Sequence, residues 1–539
     1  NPDHGRPEVS IDPATGHYLY YGNTDWWDLI YSENMPSMEH SITASGGSEN
    51  ANYYISGRYF SQDGLYKIRS DKYQKYDLRT KGSVQPLQWL NIFGNIHYSS
   101  NSYVDPFSGG NVFRNLMVAS SATPMGVPFN PDGSYTQIGR NTIGILESDN
   151  YSENQEGQIL ASVGFEASVI NNMLDLKGDF TYRNRVDETK RKHLPVPYSN
   201  YPEVIVSVGD SRLYNNKTTL NYYAYNLYGN FSRNFGNHSI NIVGGTNIEI
   251  SNLRYLNVNR ANIIIPELDA FNLATGENFN IAGGGSDWAN SGIFSRINYI
   301  YNERYLLEIN SRYDGSSKFP KQEQFGFFPS ISVGWRISEE NFMIGTRSWL
   351  DNLKTRFSYG SLGNSMISPY LYIPQIHASK TSRIIKGDRP VVTRNPAVLP
   401  DDFTWETSTT FNIGLDIGMF DSRLNFVFDY FRRTTTDMIV QGPVLPAVFG
   451  AAEPKGNYAD LYTRGFELSL GWNDQIKTAK PIKYGIRLTL ADDLSFITRF
   501  NNPQKNLSID PNYRTAQYYE GMTVGELWGL TTLGLFQDQ

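Results

Sequence analysis

The sequence predicts an all-β protein: an antiparallel β-barrel whose strands cross a membrane. Three observations lead to this prediction. Apolar and polar side chains alternate along many segments, aromatic residues are abundant, and the gaps between segments alternate between short and long. Successive side chains of a strand point to opposite faces, so alternation gives each strand one apolar and one polar face. A strand that crosses a membrane needs roughly 9 to 11 residues.

Residues 304–337 show the alternation most clearly, as two strands joined by a polar loop. The odd-numbered apolar residues are Tyr305, Leu307, Ile309, Tyr313, Phe327, Ile331, Val333, Trp335 and Ile337. The even-numbered polar residues are Arg304, Glu308, Asn310, Arg312, Ser330, Ser332, Arg336 and Ser338. We expect the odd-numbered face to meet lipid and the even-numbered face to line a polar lumen.

Aromatic residues support the same fold. The chain contains 37 Tyr, 29 Phe and 9 Trp, together 14% of its residues. Membrane barrels place such side chains in girdles at both rims of the lipid-facing band. A soluble aromatic-rich β-protein has the same composition, so this observation supports the barrel without deciding it. No apolar run reaches the length of about 18 residues that a membrane helix needs.

The gaps between strands set the direction of each strand. Short gaps lie at 46–50, 85–88, 170–172, 235–237, 302–304 and 420–423, and long gaps lie at 104–154, 186–215, 257–287, 314–324, 361–404 and 434–458. Bacterial barrels have short periplasmic turns and long extracellular loops. We therefore expect about sixteen strands, preceded by a loop over residues 1–21.

Several classes of function are disfavoured by what the sequence lacks. There is no cysteine, and the seven histidines form no pair with helical spacing, so neither a metal site nor a cofactor is expected. No serine stands in a G-x-S-x-G motif, so we predict that the protein is not an enzyme. A net charge of -7 without a basic block argues against nucleic acid as a partner.

Five short motifs have structural interpretations. Residues 130–135 (NPDGSY) resemble half a calcium loop, but a tight turn is favoured. We expect a flexible loop at the glycines 283–285, a turn that opens an outer loop at 314–317, a helix at 113–122 and a capped periplasmic turn at 338–342.

Exposed aromatic residues beside acids are the candidates for substrate binding. The candidates are Asp25, Trp26, Trp27 and Trp288. The tryptophan rings offer flat apolar faces next to hydrogen-bonding acids, a combination that suits sugar rings or peptide side chains. The alternative is that these aromatic residues pack loop against loop or form the outer girdle.

Several longer motifs keep one order along the chain. These are NTDWWDLIYSENMPSMEHSITASGGSENANYYISGRYFSQDGLY, RYDGSSKF, GFFPSISVGWRISEENF, LDNLKTRFSYGSLGN, WETSTTFNIGLDIGMFDSRLNFVFDYFRRTTTDMI and YADLYTRGFELSLGW. Together they resemble the barrel of the SusC/RagA-like TonB-dependent outer-membrane transporters. One departure is Arg464 in TRGFE, where the family usually has Asn-Lys before the glycine.

The resemblance implies an architecture and a function. The full protein would have about 22 strands, with residues 1–39 as an extracellular loop, residues 40–539 as a barrel incomplete at both ends, and a plug domain outside this chain. It would lie in the outer membrane of a Gram-negative bacterium and actively import a glycan, an oligosaccharide or an oligopeptide. Rival functions are a passive or ligand-gated porin and, more weakly, a barrel hydrolase in the outer membrane.

Partners follow from the same resemblance. They are a SusD-like surface lipoprotein that acts as a lid, the TonB complex acting through a missing N-terminal part, and outer-membrane lipid. A dimer of transporter–lid pairs is also expected. The outer loops 361–404 and 434–458 are rich in proline and in apolar residues, so we expect them to contact the lid. The interface candidates are Tyr370, Tyr372, Val444, Leu445, Val448 and Phe449. The alternative is that these loops fold inward over the plug and bind substrate.

Overall fold

The protein forms one large antiparallel sheet with additional short hairpins in its loops. The computed structural model describes residues 7–106, 123–171, 173–277, 279–394, 403–442, 454–476, 480–503 and 518–527, with the single residues 396, 399, 448, 478, 505, 531, 532 and 534. Within these residues sixteen strands make up the sheet, which confirms the expected number. No helix in these described ranges is long and apolar enough to cross a membrane.

Neighbouring strands in the sheet follow one another along the chain, so the sheet is an antiparallel meander. The first and the last of these strands along the chain stand at the two ends of the sheet. The sheet strands are β3 (Ser37–Ser48), β4 (Ala51–Asp63), β5 (Lys72–Leu87), β6 (Leu90–Asp105), β7 (Tyr151–Ile170), β8 (Leu174–His193), β11 (Arg212–Phe235), β12 (His238–Ala261), β13 (Phe279–Tyr301), β14 (Tyr305–Ser316), β15 (Phe325–Arg336), β16 (Leu350–Asn364), β19 (Glu406–Met419), β20 (Leu424–Gln441), β21 (Lys455–Ile476) and β22 (Ile482–Arg499).

Six further strands form three hairpins within connections. They are β1 (Val9–Ile11) with β2 (Tyr18–Tyr20), β9 (Tyr198–Tyr201) with β10 (Val204–Val206), and β17 (His377–Lys380) with β18 (Val391–Arg394). The first hairpin corrects the expected opening loop. Its turn forms because the Asp12 side chain accepts hydrogen bonds from the Ala14 N–H (2.9 Å) and the Thr15 hydroxyl (2.7 Å).

In the part of the chain that the structure describes, the helical segments are short and lie outside the sheet. They are α1 (Trp26–Ile30), α2 (Gln137–Gly139), a π-helical turn (Arg140–Gly144), α3 (Ile145–Glu147) and 3₁₀ turns at Phe271–Leu273, Ile337–Glu339 and Asn341–Thr346. The last two occupy the place where a capped periplasmic turn is predicted. The helix expected at 113–122 lies outside the described residues.

All six short gaps are confirmed as tight connections between consecutive strands. The strands extend further into the long gaps than the sequence indicates, and two expectations need correction. Asp314–Ser316 belong to β14, so the outer loop begins only at residue 317. The three glycines 283–285 belong to β13 rather than to a flexible loop. A Cβ on Gly285 would lie 2.4 Å from the Leu253 carbonyl oxygen, so the close approach of the two backbones requires glycine there.

Cross-strand pairing confirms the two predicted faces. Ile309 of β14 stands opposite Ile297 of β13 and Ile331 of β15. The apolar row continues from Ile331 to Tyr359 and from Tyr359 to Phe411. Because side chains directly opposite one another share a face, the register produces a continuous apolar surface. Ile297, Ile309, Ile331 and Tyr359 are exposed on the protein, as expected of a surface that meets lipid.

The chain divides into two compact units. The first comprises Asn1–Glu166, Asp179–Tyr225 and Ile250–Asp287, and the second comprises Ala167–Gly178, Asn226–Glu249 and Trp288–Gln539. Buried apolar residues of the first unit cluster around Trp26 and Leu146, under α1. The second unit has two such clusters, around Phe319 and around Ile497. All three clusters lie in or beside long connections, because the sheet itself presents its apolar face outward.

Candidate functional site

The polar face of the second unit carries a three-residue ionic cluster. Arg356 of β16 donates to both carboxylate oxygens of Asp416, with Nε–Oδ2 at 3.0 Å and Nη2–Oδ1 at 2.9 Å. Its Nη1 and Nη2 also donate to Asp429, at 3.1 and 3.0 Å. One guanidinium thus joins three strands, a geometry that the planar, five-donor group is suited to provide.

Other charges on this face also have polar partners. Arg312 pairs with Asp314 at 2.7 Å and donates to Asn247 at 3.0 Å. Arg296 donates to Asn310 at 2.7 Å, and the Asn310 amide donates to Glu308 at 2.8 Å. Charged groups on an inward face need such partners or water, because an unpaired charge in a poorly solvated place is costly. The face is therefore an organised polar network.

A cavity of about 520 Å³ opens on the same network. Its lining includes Glu308, Ser332, Lys354, Arg356 and Asn412. Apolar residues such as Ile300 and Leu306 also line the cavity, so it offers charged, amide and apolar surface together. Within the described ranges, no cluster of three or more His, Asp or Glu side chains could hold a metal ion.

The predicted aromatic site near the start of the chain lies on α1, and the helix directs its two tryptophans into different environments. Asp25 caps α1 by accepting a hydrogen bond from the Asp28 N–H at 3.0 Å. Trp26 is only 4% exposed, and its indole N–H donates to the Thr123 carbonyl at 3.0 Å. Trp27 is 64% exposed, with its ring 4.4 Å from that of Tyr31. Trp27 therefore has surface left for a ligand, whereas Trp26 is used for packing between loops.

Trp288 lies within β13 rather than in a loop. The Lys318 ammonium stands 4.7 Å from the centre of its ring, a cation–π contact. Burial lowers the pKa of Lys318. One surface of this indole is thus already covered by a side chain of the protein.

The predicted lid-interface residues lie in different environments. Tyr372 packs against the buried cluster of Phe319, Phe328 and Phe403, and its hydroxyl donates to the Ser317 carbonyl at 3.4 Å. Tyr370 has a left-handed backbone with φ of 68°. Val448 is almost fully exposed, and Val444, Leu445 and Phe449 lie outside the described residues.

The sequence did not predict an aromatic cluster that joins two connections, the one between β14 and β15 and the one between β16 and β19. The rings of Phe319 and Trp405 stack with centroids 4.8 Å apart, and Phe328 lies 5.4 Å from Trp405. The Trp405 N–H donates to the Gln324 carbonyl at 3.2 Å. The aromatic residues at 325–328 and 403–405 were a possible signal, but only the fold brings them together.

An antiparallel meander of sixteen strands, apolar on one face and ionic on the other, defines a β-barrel protein of the outer membrane. Residues 90–531 match the family described as TonB dependent receptor-like, beta-barrel. The chain belongs to this family.

Known proteins similar to the chain agree with this assignment. TonB-dependent receptor P3 of Formosa agariphila is 26% identical over 96% of this chain and 51% of its own length. TonB-dependent receptor SusC of Bacteroides thetaiotaomicron is 31% identical over 39% of this chain and 20% of its own length. The solved structure of the RagAB peptide transporter superimposes with a TM-score of 0.75 at 20% identity, covering 91% of this chain and 54% of that one. The chain spans about half the length of the curated relatives that match most of it.

Proposed function

We propose that this chain forms the barrel wall of a SusC-like transporter that actively imports an oligosaccharide or an oligopeptide. The main support for this proposal is the family match over residues 90–531. The proposal is also supported by the ionic inner face, where Arg356, Asp416 and Asp429 provide a polar surface for a plug domain or a passing solute.

The proposal includes energy from the TonB complex and a SusD-like lipoprotein lid. Exposed apolar side chains support the lid in the connection between β16 and β19. The hairpin β17–β18 carries Ile384 and Val391, which are 68% and 64% exposed, with Ile376 just before it. A solvated loop gains nothing from exposing such residues, whereas a protein partner would bury them. The dimer of transporter–lid pairs remains part of the same proposal.

Two observations concern the nutrient. The similarity to SusC extends over part of the chain, and the structural likeness is to a protein described as a peptide transporter. Trp27 presents an exposed aromatic face, and the neighbouring Asp28 carboxylate pairs with Lys67 at 2.8 Å. An aromatic face near such an ion pair suits either a sugar ring or a peptide. We therefore propose both substrate classes as alternatives for experiment.

Uptake by living cells tests the proposal. The gene is deleted from its native bacterium, and import of fluorescent oligosaccharides and oligopeptides is compared with that of the parent and of a complemented strain. We expect one of the two classes to lose uptake on deletion, and the same loss when an uncoupler collapses the proton gradient. Uptake that persists with the uncoupler would indicate a passive porin and overturn the proposal.

A further inference from the structure

The connection between β15 and β16 is fastened to the barrel wall by one carboxylate. The Tyr305 hydroxyl and the Trp335 indole N–H both donate to Oε1 of Glu340, at 2.6 and 3.0 Å. Arg304 donates to Oε2 at 3.2 Å and to the Asn341 side chain at 3.4 Å. Glu340 is 9% exposed, and the hydrogen bond from Tyr305, followed by the one from Trp335, lowers its pKa.

This fastening places the connection at the rim of the wall, beside its lipid-facing side chains. Tyr305 and Trp335 stand directly opposite each other and belong to the same face as Ile309 and Ile331. That face is the lipid-facing one. Two of the three donors to Glu340 come from this face, and the third, Arg304, stands at the rim just before β14 begins. The residues that follow Glu340 therefore leave the wall at its rim, next to the lipid-facing side chains.

Beyond Glu340 the connection exposes large apolar side chains. Phe342 is 70% exposed and Ile344 58% exposed, and Trp349 is also exposed just before β16 begins. The 3₁₀ turn Asn341–Thr346 holds Phe342 and Ile344 in place: the Met343 N–H donates to the Glu340 carbonyl at 2.9 Å, and the Thr346 hydroxyl to that of Met343 at 2.8 Å. Trp349 follows the turn, and its N–H donates to the Thr346 carbonyl at 3.0 Å. These side chains are therefore displayed by an ordered segment.

We propose that residues 341–349 form an anchor in the membrane interface, with Phe342, Ile344 and Trp349 inserted among the phospholipids of the periplasmic leaflet. The segment adjoins the lipid-facing wall, because Trp335 lies on that wall and donates to Glu340, the residue next to the segment. Aromatic and aliphatic residues next to charged ones favour the boundary between headgroups and acyl chains. Arg347, which pairs with Glu339 at 3.5 Å, lies on the same segment and can face the headgroups. The anchor uses only the outer-membrane location and is independent of what the protein transports.

Single cysteines test the anchor, because the 539 residues contain no cysteine. Phe342→Cys and Ile344→Cys are introduced into the full-length protein, labelled with a polarity-sensitive fluorophore and reconstituted in phosphatidylethanolamine–phosphatidylglycerol nanodiscs. Asp421→Cys, in the exposed β19–β20 turn, is the matched periplasmic control. We expect emission at shorter wavelength at the first two positions, with quenching by nitroxide lipids several times stronger than at the control. Equal emission and quenching at all three positions would overturn the proposal.

The carboxylate clamp has its own test. Glu340→Gln weakens three hydrogen bonds, so the label at position 342 should become more accessible to water-soluble quenchers. Glu339→Gln, which removes only the contact with Arg347, should leave that accessibility unchanged. If both substitutions act alike, the clamp does not position the anchor.

Unsubstituted protein provides a measurement that does not depend on any variant. A phospholipid with a photoactivatable acyl chain is crosslinked to the protein in nanodiscs, and the modified peptides are identified by mass spectrometry. We expect adducts within 341–349 as well as on the outward residues of β14 and β15. Adducts on the strands without any on 341–349 would show that this connection is covered by protein, such as the plug, or by water.

Discussion

Arg356 and Asp429 are joined by hydrogen bonds of 3.1 and 3.0 Å although β19 lies between their strands. The intervening residue opposite both of them is Gly414. A Cβ at this position would lie 2.7 Å from the guanidinium carbon of Arg356 and 2.7 Å from Oδ1 of Asp429. The missing side chain is what allows the two charges to meet.

Replacing Arg356 by methionine should therefore destabilise the wall. The substitution leaves Asp416 and Asp429 without their shared cation, and hydrogen bonds to charged groups contribute roughly 1.5 to 3 kcal/mol. We expect a lower urea midpoint of unfolding in detergent. Arg296→Met is the control, because Arg296 bonds the neutral Asn310 and should cost less. Equal midpoints for the two variants would contradict the importance of the cluster.

Gly414→Val tests the geometry of the same contact. The added side chain must displace the ends of Arg356 and Asp429, so we expect a loss of stability in the single variant. In the double variant with Arg356→Met the two losses should not add, because both remove the same interaction. Strict additivity in a double-mutant cycle would indicate that Gly414 acts through another contact.

The two faces of the sheet predict opposite responses to arginine. Ile309→Arg or Ile331→Arg places a cation on the lipid face, which costs roughly 2 to 4 kcal/mol near the membrane centre. We expect poor assembly, measured as the yield of heat-modifiable protein in the outer membrane. Ser332→Arg is the matched control, because Ser332 stands opposite Glu308 on the polar face. Similar yields for all variants would refute the face assignment.

Substitutions of Trp26 and Trp27 should have different effects, the first on the stability of the loops and the second on uptake. Trp26→Ala removes a buried indole and its hydrogen bond to Thr123, a change of the kind that costs roughly 3 to 5 kcal/mol in a core. Limited proteolysis of intact cells should cleave the outer loops of this variant faster. Trp27→Ala should leave proteolysis unchanged and, if Trp27 contacts the nutrient, reduce uptake. Faster cleavage of the Trp27 variant alone would reverse these roles.

The β17–β18 connection should determine how much lid protein co-purifies with the barrel. Ile384→Asp and Val391→Asp place charges where we propose an apolar interface, so we expect less lipoprotein in pull-downs. Ile384→Val keeps the apolar surface and serves as the control. Deleting residues 444–449 extends the test to the other predicted loop. Full retention of the lid with loss of uptake would assign these loops to the ligand instead.

The sequence by itself determined the number of strands, the short turns and the two faces of the wall. These are local properties of an extended chain: side chains alternate with a period of two, and a turn needs only a few neighbouring residues. The assignment of Ile309 and Asn310 to opposite faces of the sheet could therefore be predicted without any knowledge of the fold.

Only the tertiary structure decided which distant residues meet. Arg356 contacts partners 60 and 73 residues away. Trp26 is buried in a cluster that also contains Tyr66 and Leu146 from two later connections, while Trp27 stays exposed. The contacts of Arg356 depend on the pairing register of its strands, because a shift of one residue would move its partners to the other face of the sheet. The clamp on Glu340 depends in the same way on Tyr305 and Trp335 standing opposite each other, which the pairing of β14 with β15 establishes.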